Sequence, residues 1–193
     1  MTSPLDRRPV VVALAGPNGA GKSTFFDSHL ARTGLRFVNA DVLSLSLGME
    51  PYAAAKKADA IRRKLVQLRE SFIFETVFSD PVGEKVGYTV LLIFIGVSAP
   101  EISDGRVAMR VAQGGHDVPA NKIVERYPRV MNNLKQALVE VAHVRVYDNS
   151  DLERPYRLVA VKEGEKKIEL YDPVPEWLRS LLPAWLRPLL PKS

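Results

Sequence analysis

Residues 9–24 read PVVVALAGPNGAGKST, and no other stretch constrains the fold as strongly. Pro9–Ala15 is a continuous apolar, β-branched run, the pattern of a strand buried on both faces of a parallel sheet. Gly16, Pro17, Asn18, Gly19, Ala20, Gly21, Lys22 and Ser23 then satisfy G-x-x-x-x-G-K-[ST]. A helix from about Lys22 to Arg32 is expected next, ended by Gly34. The glycines let backbone N–H groups converge on phosphate oxygens, and the helix N-terminus adds its positive dipole end. In such a loop Lys22 reaches the β- and γ-phosphates and the Ser23 hydroxyl is a Mg²⁺ ligand. Thr24 is a further phosphate contact or a helix-start residue. The signal names a nucleotide and leaves the reaction open.

The rest of the chain alternates strand and helix patterns. Leu35–Ala40 reads as a second strand ending at Asp41, and a helix with apolar residues at Ala54, Ala58, Ile61, Leu65 and Leu68 follows Pro51. Ser71–Glu75 and Thr89–Val97 read as the third and fourth strands. Helices are expected at about 101–112 and 119–141, the second with Ile123, Tyr127, Val130, Leu134 and Val141 on one face and Pro128 as a kink. His143–Asp148 is a fifth strand, and two short strands around Gly164 read as a terminal hairpin. This alternation implies a parallel sheet with helices on both faces, whose ligands sit at the carboxyl ends of the strands. Those ends carry the phosphate loop, Asp41, Glu75, Ser98 and Asp148.

A chain of 193 residues is one ordinary domain. Thr89–Val97, the longest apolar run, has nine residues; a membrane-spanning helix needs about 20, so no membrane partner is expected. With no cysteine there is neither a disulfide nor a thiolate site, which suits the cytosol, and a cytoplasmic protein is expected. The net charge of +5 favours anionic partners. Residues 106–129 hold Arg106, Arg110, Lys122, Arg126 and Arg129 against Asp117 and Glu125, a local cluster that fits a phosphate site at least as well as a nucleic-acid surface. Neither the LSGGQ loop of transporter ATPases nor the N-K-x-D of GTPases is present. A small-molecule kinase needs neither; it needs a base near the acceptor hydroxyl, a phosphate cradle and a closing arginine lid.

GPNGAGKST (16–24), FVNAD (37–41), SFIFETVFSD (71–80), RVAMRVAQGGHDVPANKIVERYPRVMNNL (106–134) and VYDNS (146–150) together resemble the zeta-toxin-like phosphate-loop kinases, in order and over roughly residues 9–160. The resemblance implies ATP- and Mg²⁺-dependent phosphorylation of a small-molecule hydroxyl, with UDP-N-acetylglucosamine as the best-known acceptor. It places the catalytic aspartate at Asp41, a role that suits a carboxylate at a strand end opposite the phosphate loop; a helix N-cap is the alternative. Glu75 would hydrogen-bond the acceptor or help hold the Mg²⁺ shell, with Thr76 beside it, or else form a structural ion pair. Arg106 and Arg110 share one helix face and Arg126 and Arg129 another, around the glycine pair 114–115, which is how a lid is arranged. Arg110 and Arg126 are the expected phosphate ligands, while Arg106, Lys122 and Arg129 are expected to be solvated. Asp148-Asn149-Ser150 would line the adenine or form an Asx turn.

The expectation is therefore one α/β domain over residues 1–172, with a five-stranded parallel sheet in the order 2-3-1-4-5, a lid over about 106–129 and a C-terminal hairpin. Residues 173–193 repeat WLRxLLP and are expected to pack on the domain, with a docking segment as the alternative. The expected partner is a small-molecule acceptor, a nucleotide sugar by resemblance; nucleic acid is not expected, and an antitoxin partner is left open. Two readings compete with it: a kinase for a polynucleotide or another metabolite, and a non-catalytic ATP-binding switch. This chain also departs from its relatives. Val77-Phe78-Ser79 replaces the usual T-L-S after Glu75-Thr76, the 76–88 crossover is short for a parallel connection, and the C-terminal extension of the better-studied toxins is not seen.

Overall fold

The structure is a computed structural model that describes residues 3–76, 87–112, 119–164 and 168–182. The expectations for the 76–88 crossover, for the glycine pair and His116 of the lid loop, and for the second WLRxLLP repeat lie outside the described residues. In chain order the elements are β1 (Val10–Ala15), α1 (Lys22–Phe25), β2 (Arg36–Val38), α2 (Ala40–Leu47), α3 (Pro51–Gln67), β3 (Phe72–Thr76) and β4 (Thr89–Gly96). After them come α4 (Pro100–Ala112), α5 (Ala120–Glu140), β5 (His143–Asp148), β6 (Arg157–Glu163), β7 (Glu169–Leu170) and α6 (Glu176–Leu181).

β1 is buried along its whole length because both of its faces are covered. Val11, Ala13 and Ala15 point into a core built with Ala58 and Leu65 of α3, Val130, Leu134 and Leu138 of α5, and Trp177 and Leu178 of α6. Val10, Val12 and Leu14 point the other way, against Phe25 and Leu30. Alternating side chains of one strand thus serve two cores, which is why the run is continuously apolar. Leu14, Leu134 and Leu138 are almost fully enclosed, and truncating any one to alanine should cost about 2–5 kcal/mol.

The sheet has seven strands in the order β2-β3-β1-β4-β5-β6-β7. The five-stranded parallel sheet expected from the sequence is therefore corrected to a larger mixed one, whose order differs by the two strands at the β5 edge. β2, β3, β1, β4 and β5 pair in parallel, and β6 and β7 join antiparallel, with His143 opposite Glu163. The hairpin covers what would be an exposed, apolar β5 edge. Val159 and Ala160 are buried by that pairing.

Two further corrections concern local structure. The helix after the phosphate loop is α-helical only to Phe25; it widens into a π turn over Phe26–Leu30 and a 3₁₀ turn over Ala31–Thr33 before Gly34. In the π turn Phe26 stacks on Phe37 of β2, with ring centroids 3.9 Å apart. β2 stops at Val38, and Asp41 belongs to the first turn of α2 instead of a strand end. Pro128 lies inside α5, which continues through it. Among the described residues no helix is long and apolar enough to cross a membrane.

Candidate active site

A cavity of about 520 Å³ opens at the carboxyl ends of β1, β2 and β3. Its floor is Asn18, Gly19 and Lys22 from the phosphate loop, with Glu75 and Thr76 from the end of β3. Asn39, Ala40 and Asp41 at the start of α2 form one wall, and Lys122 and Arg126 of α5 another. Of the side chains expected from the sequence, the fold brings Lys22, Asp41, Glu75, Thr76 and Arg126 into this one space.

The loop's course depends on close approach to β4. At Gly16, where φ is +145°, a Cβ would collide with the carbonyl oxygen of Ile95, so only glycine fits. The loop then delivers Lys22, 8% exposed, to the cavity floor. Its ammonium donates to the carbonyls of Gly16 at 3.0 Å and Pro17 at 2.9 Å, and pairs with Glu75 Oε1 at 3.3 Å. Three acceptors satisfy three donors, so the charge is tolerable at this depth. A phosphate arriving here would compete with Glu75 for the ammonium.

Glu75 is the hub of the floor. Besides Lys22, its Oε2 accepts from Asn39 Nδ2 at 2.6 Å and from the Ser23 hydroxyl at 3.4 Å. The ion pair considered from the sequence is present, and the same carboxylate lines the cavity. The Ser23 hydroxyl and the Glu75 carboxylate form a hard-oxygen pair of the kind Mg²⁺ takes alongside phosphates and water, so the residues present fit that ion. Among the described residues no cluster of three or more acidic or histidine side chains forms a separate metal cage.

Asp41 is exposed at the cavity wall. It is not the cap of α2: Asn39 caps the helix, its Oδ1 accepting from the Asp41 amide at 2.7 Å and the Val42 amide at 3.3 Å. The Asp41 carboxylate is left for the cavity, without a hydrogen-bond or ion-pair partner among the described residues.

The arginines divide. Arg126 reaches the cavity, whereas Arg129 pairs with Glu125 at 3.4 Å on the outside of α5. Arg106 departs from expectation: it is half-buried, and its Nη1 is enclosed without a hydrogen-bond partner among the described residues. Its helix is pinned against the phosphate loop, so the guanidinium has less access to water than a free surface helix would allow. Arg110 lies in α4; its side chain is outside the description. Lys122, expected to be solvated, is exposed and also lines the cavity. Tyr127 joins α5 to the end of β4, donating to the Val97 carbonyl at 2.7 Å. Burial, aided by Glu101 and Asp148, pushes its phenol up to about 12.

Tyr156 and Arg62 of this region escaped the sequence reading, besides Asn39, and Asn149 was read only as lining the adenine or forming an Asx turn. Asn149 is buried and donates to the Ala20 carbonyl at 2.8 Å, and the Tyr156 hydroxyl donates to the Gly21 carbonyl at 3.0 Å. Together they clasp the phosphate loop from the far side. Burial raises the Tyr156 phenol, with Thr24 and Arg106 pulling the other way. Arg62 lines the cavity from α3, lying over the Phe74 ring at 4.9 Å and pairing with Asp59 at 3.0 Å. It shares a helical stripe with Pro51, Ala55 and Ala58, the one signal that could have found it. Asp148, by contrast, is committed to structure. It accepts from Ser150 in an Asx turn, from Trp177 Nε1 at 3.0 Å and from Arg157 at 3.0 Å.

No family model and no curated protein matches this chain. Among solved structures, it is similar to the AvrRxo1-ORF1:AvrRxo1-ORF2 complex with sulphate ions, at a TM-score of 0.69 and 18% identity over 86% of this chain and 62% of that one. The same complex with ATP gives a TM-score of 0.67 at 18% identity over 86% and 61%. A structure from the PezAT chromosomal toxin-antitoxin system of Streptococcus pneumoniae gives 0.58 at 19% identity over 91% and 79%. The chain thus spans less than two thirds of the AvrRxo1 chains it matches. At these identities the likeness is one of fold: an α/β fold with a mixed sheet and a phosphate loop after its first strand.

Proposed function

We propose that this protein is an ATP- and Mg²⁺-dependent phosphotransferase acting on a hydroxyl of a small molecule, a UDP-activated amino sugar such as UDP-N-acetylglucosamine. The observation that carries the reading is the shared cavity: a phosphate-loop lysine and an unpartnered carboxylate, Asp41, face the same space. A cavity of about 520 Å³ is within the ordinary range for small-molecule sites. Lys22 holds the phosphates of ATP, and bound Mg²⁺, held by Ser23 and Glu75, supplies further charge neutralisation. Asp41 takes the proton from the acceptor hydroxyl as its oxygen bonds to the γ-phosphorus and the bond to the ADP oxygen breaks. Arg126, with Arg110 from the lid, offsets the charge that spreads over the transferring group. Glu75 and Thr76 contact the acceptor. Fold likeness to a complex solved with ATP supports the nucleotide; the sugar rests on the sequence resemblance.

The test is Asp41→Asn, assayed for phosphoryl transfer from ATP to UDP-N-acetylglucosamine and, by mass spectrometry, to other nucleotide sugars. Loss of the base should lower transfer about 10²–10⁴-fold, with ATP affinity unchanged. Because Asn39 already supplies the helix cap, a capping role cannot mask the result. Transfer near the wild-type rate would overturn the mechanism.

A further inference from the structure

We infer that Asn39 is a positioning residue that couples the phosphate-loop lysine to the base, so that nucleotide occupancy sets how firmly Asp41 is held. The inference rests on the function proposed above and extends it to a residue of the cavity wall that the proposed mechanism leaves without a role. Asn39 is 4% exposed and spends both ends of its side-chain amide. Its Nδ2 donates to Glu75 Oε2 at 2.6 Å, and its Oδ1 accepts from the Asp41 and Val42 amides at 2.7 and 3.3 Å. Glu75 in turn pairs with Lys22 through its other oxygen at 3.3 Å. A continuous line of hydrogen bonds therefore runs from the Lys22 ammonium, through one carboxylate and one carboxamide, to the backbone that carries the base. α2 has no other side-chain cap and no fully buried residue, so the cap adds to the partly buried packing of Ala40 and Leu43 as a tether at this end.

The direction of coupling follows from competition for Glu75. Without phosphate, Lys22 neutralises part of the carboxylate, and Asn39 receives what remains of its accepting power. A phosphate that draws the ammonium, with Mg²⁺ taking the Ser23 hydroxyl, would leave Asn39 as the donor to Glu75 Oε2. The Asn39 bond then strengthens, the carboxamide is fixed in the orientation that caps α2, and the Asp41 amide is held more tightly. Nucleotide binding would in this way firm up the base before an acceptor arrives. By linkage, ordering Asp41 would favour the nucleotide to the same degree.

The experiment uses the whole chain, with ATP and Mg²⁺ as the probe, and needs no acceptor. Amide hydrogen exchange at Asp41 and Val42 is compared with and without MgATP, and ATP affinity is measured separately by calorimetry. In the wild type, exchange at these amides should slow about tenfold on MgATP binding, roughly the worth of one hydrogen bond to a charged group. Asn39→Ser keeps a capping oxygen but has no amide to reach Glu75. It should still bind ATP, with an affinity reduced by no more than about tenfold, the size of the coupling, while the two amides stop responding. Should that variant fail to fold, Glu75→Gln leaves the cap intact and should abolish the response from the other end. Wild-type amides that ignore bound MgATP, or an Asn39→Ser protein that responds like the wild type, would overturn the coupling. Absence of ATP binding to the wild type would overturn both the coupling and the proposed function.

Discussion

Trp177 is the place where the C-terminal helix can be tested against the body of the fold. Its ring is 8% exposed, lies 6.3 Å from Phe94 centroid to centroid, and fills the space above Gly96, where any Cβ would meet the indole. Its Nε1 donates to buried Asp148 at 3.0 Å. Trp177→Ala removes the ring and should cost about 3–5 kcal/mol. The lost hydrogen bond is part of that cost, although Asp148 keeps Ser150 and Arg157 as donors. For a chain of this length about 4 kcal/mol corresponds to a fall in Tm of roughly 8–16 °C. Trp177→Phe keeps most of the ring contacts and loses the N–H. It should cost about 1.5 kcal/mol, the low end for a bond to a charged acceptor, or roughly 3–6 °C in Tm. Urea denaturation followed by far-UV circular dichroism reads both, since neither signal depends on tryptophan emission. A Trp177→Ala protein within about 1 kcal/mol of the wild type would mean that α6 is not part of the core. Equal losses for the two variants would mean that the hydrogen bond, and not the buried ring, holds the helix.

Other substitutions probe the site. Arg126→Ala, at an exposed position, should leave stability within about 0.5 kcal/mol yet lower kcat about 10³-fold with little change in ATP affinity; a rise in KM alone would assign Arg126 to ground-state binding. Asn149→Ala should weaken ATP binding about tenfold by releasing the Ala20 carbonyl, and unchanged affinity in calorimetry would show that the clasp does not shape the phosphate loop. Tyr127 gives a pH test. Its phenol is raised from 10.0 to about 12 in the fold, so the stability it lends is complete below pH 10 and is lost as pH climbs through 12. Tyr127→Phe should flatten that alkaline decline in urea midpoints measured between pH 9 and about 11.5, and an equally steep decline would place the cause elsewhere.

What could be read from the sequence was what is local. The β1–loop–α1 unit declares itself because an apolar run, three glycines and a lysine are adjacent in the chain. The faces of α3 and α5 follow from 3.6-residue periodicity, and Ile123, Val130 and Leu134 are buried as that spacing implies. What could not be read depends on distant partners. Asn39 meets Glu75 across 36 positions and Asn149 meets Ala20 across 129, and the short motifs around them do not reveal these contacts. Asp41 was misplaced by two residues of context: the cap sits at Asn39, so the strand ends sooner and a helix starts where a strand end was expected. The terminal hairpin was legible as a hairpin, but its docking on the β5 edge is a matter of non-local register. Arg62 was passed over because periodicity singles out apolar faces and is silent about the charged side chain beside one.

The clasp on the phosphate loop bears on how the protein comes to be made. Residues 20 and 21 leave the ribosome well ahead of Asn149 and Tyr156, which hold their carbonyls and emerge 129 and 135 residues later. Strand β1, which launches the loop, likewise lacks its neighbours until β3 and β4 have been synthesised. A nascent chain carrying the whole nucleotide motif would therefore have only a slack loop to offer ATP, because closing contacts over such separations comes late in folding. Ribosome-bound intermediates stalled before Asn149 should stay silent towards nucleotide, and binding should switch on within a few residues of Tyr156 clearing the exit tunnel. The first functional signature in the sequence is the last part of the site to be finished.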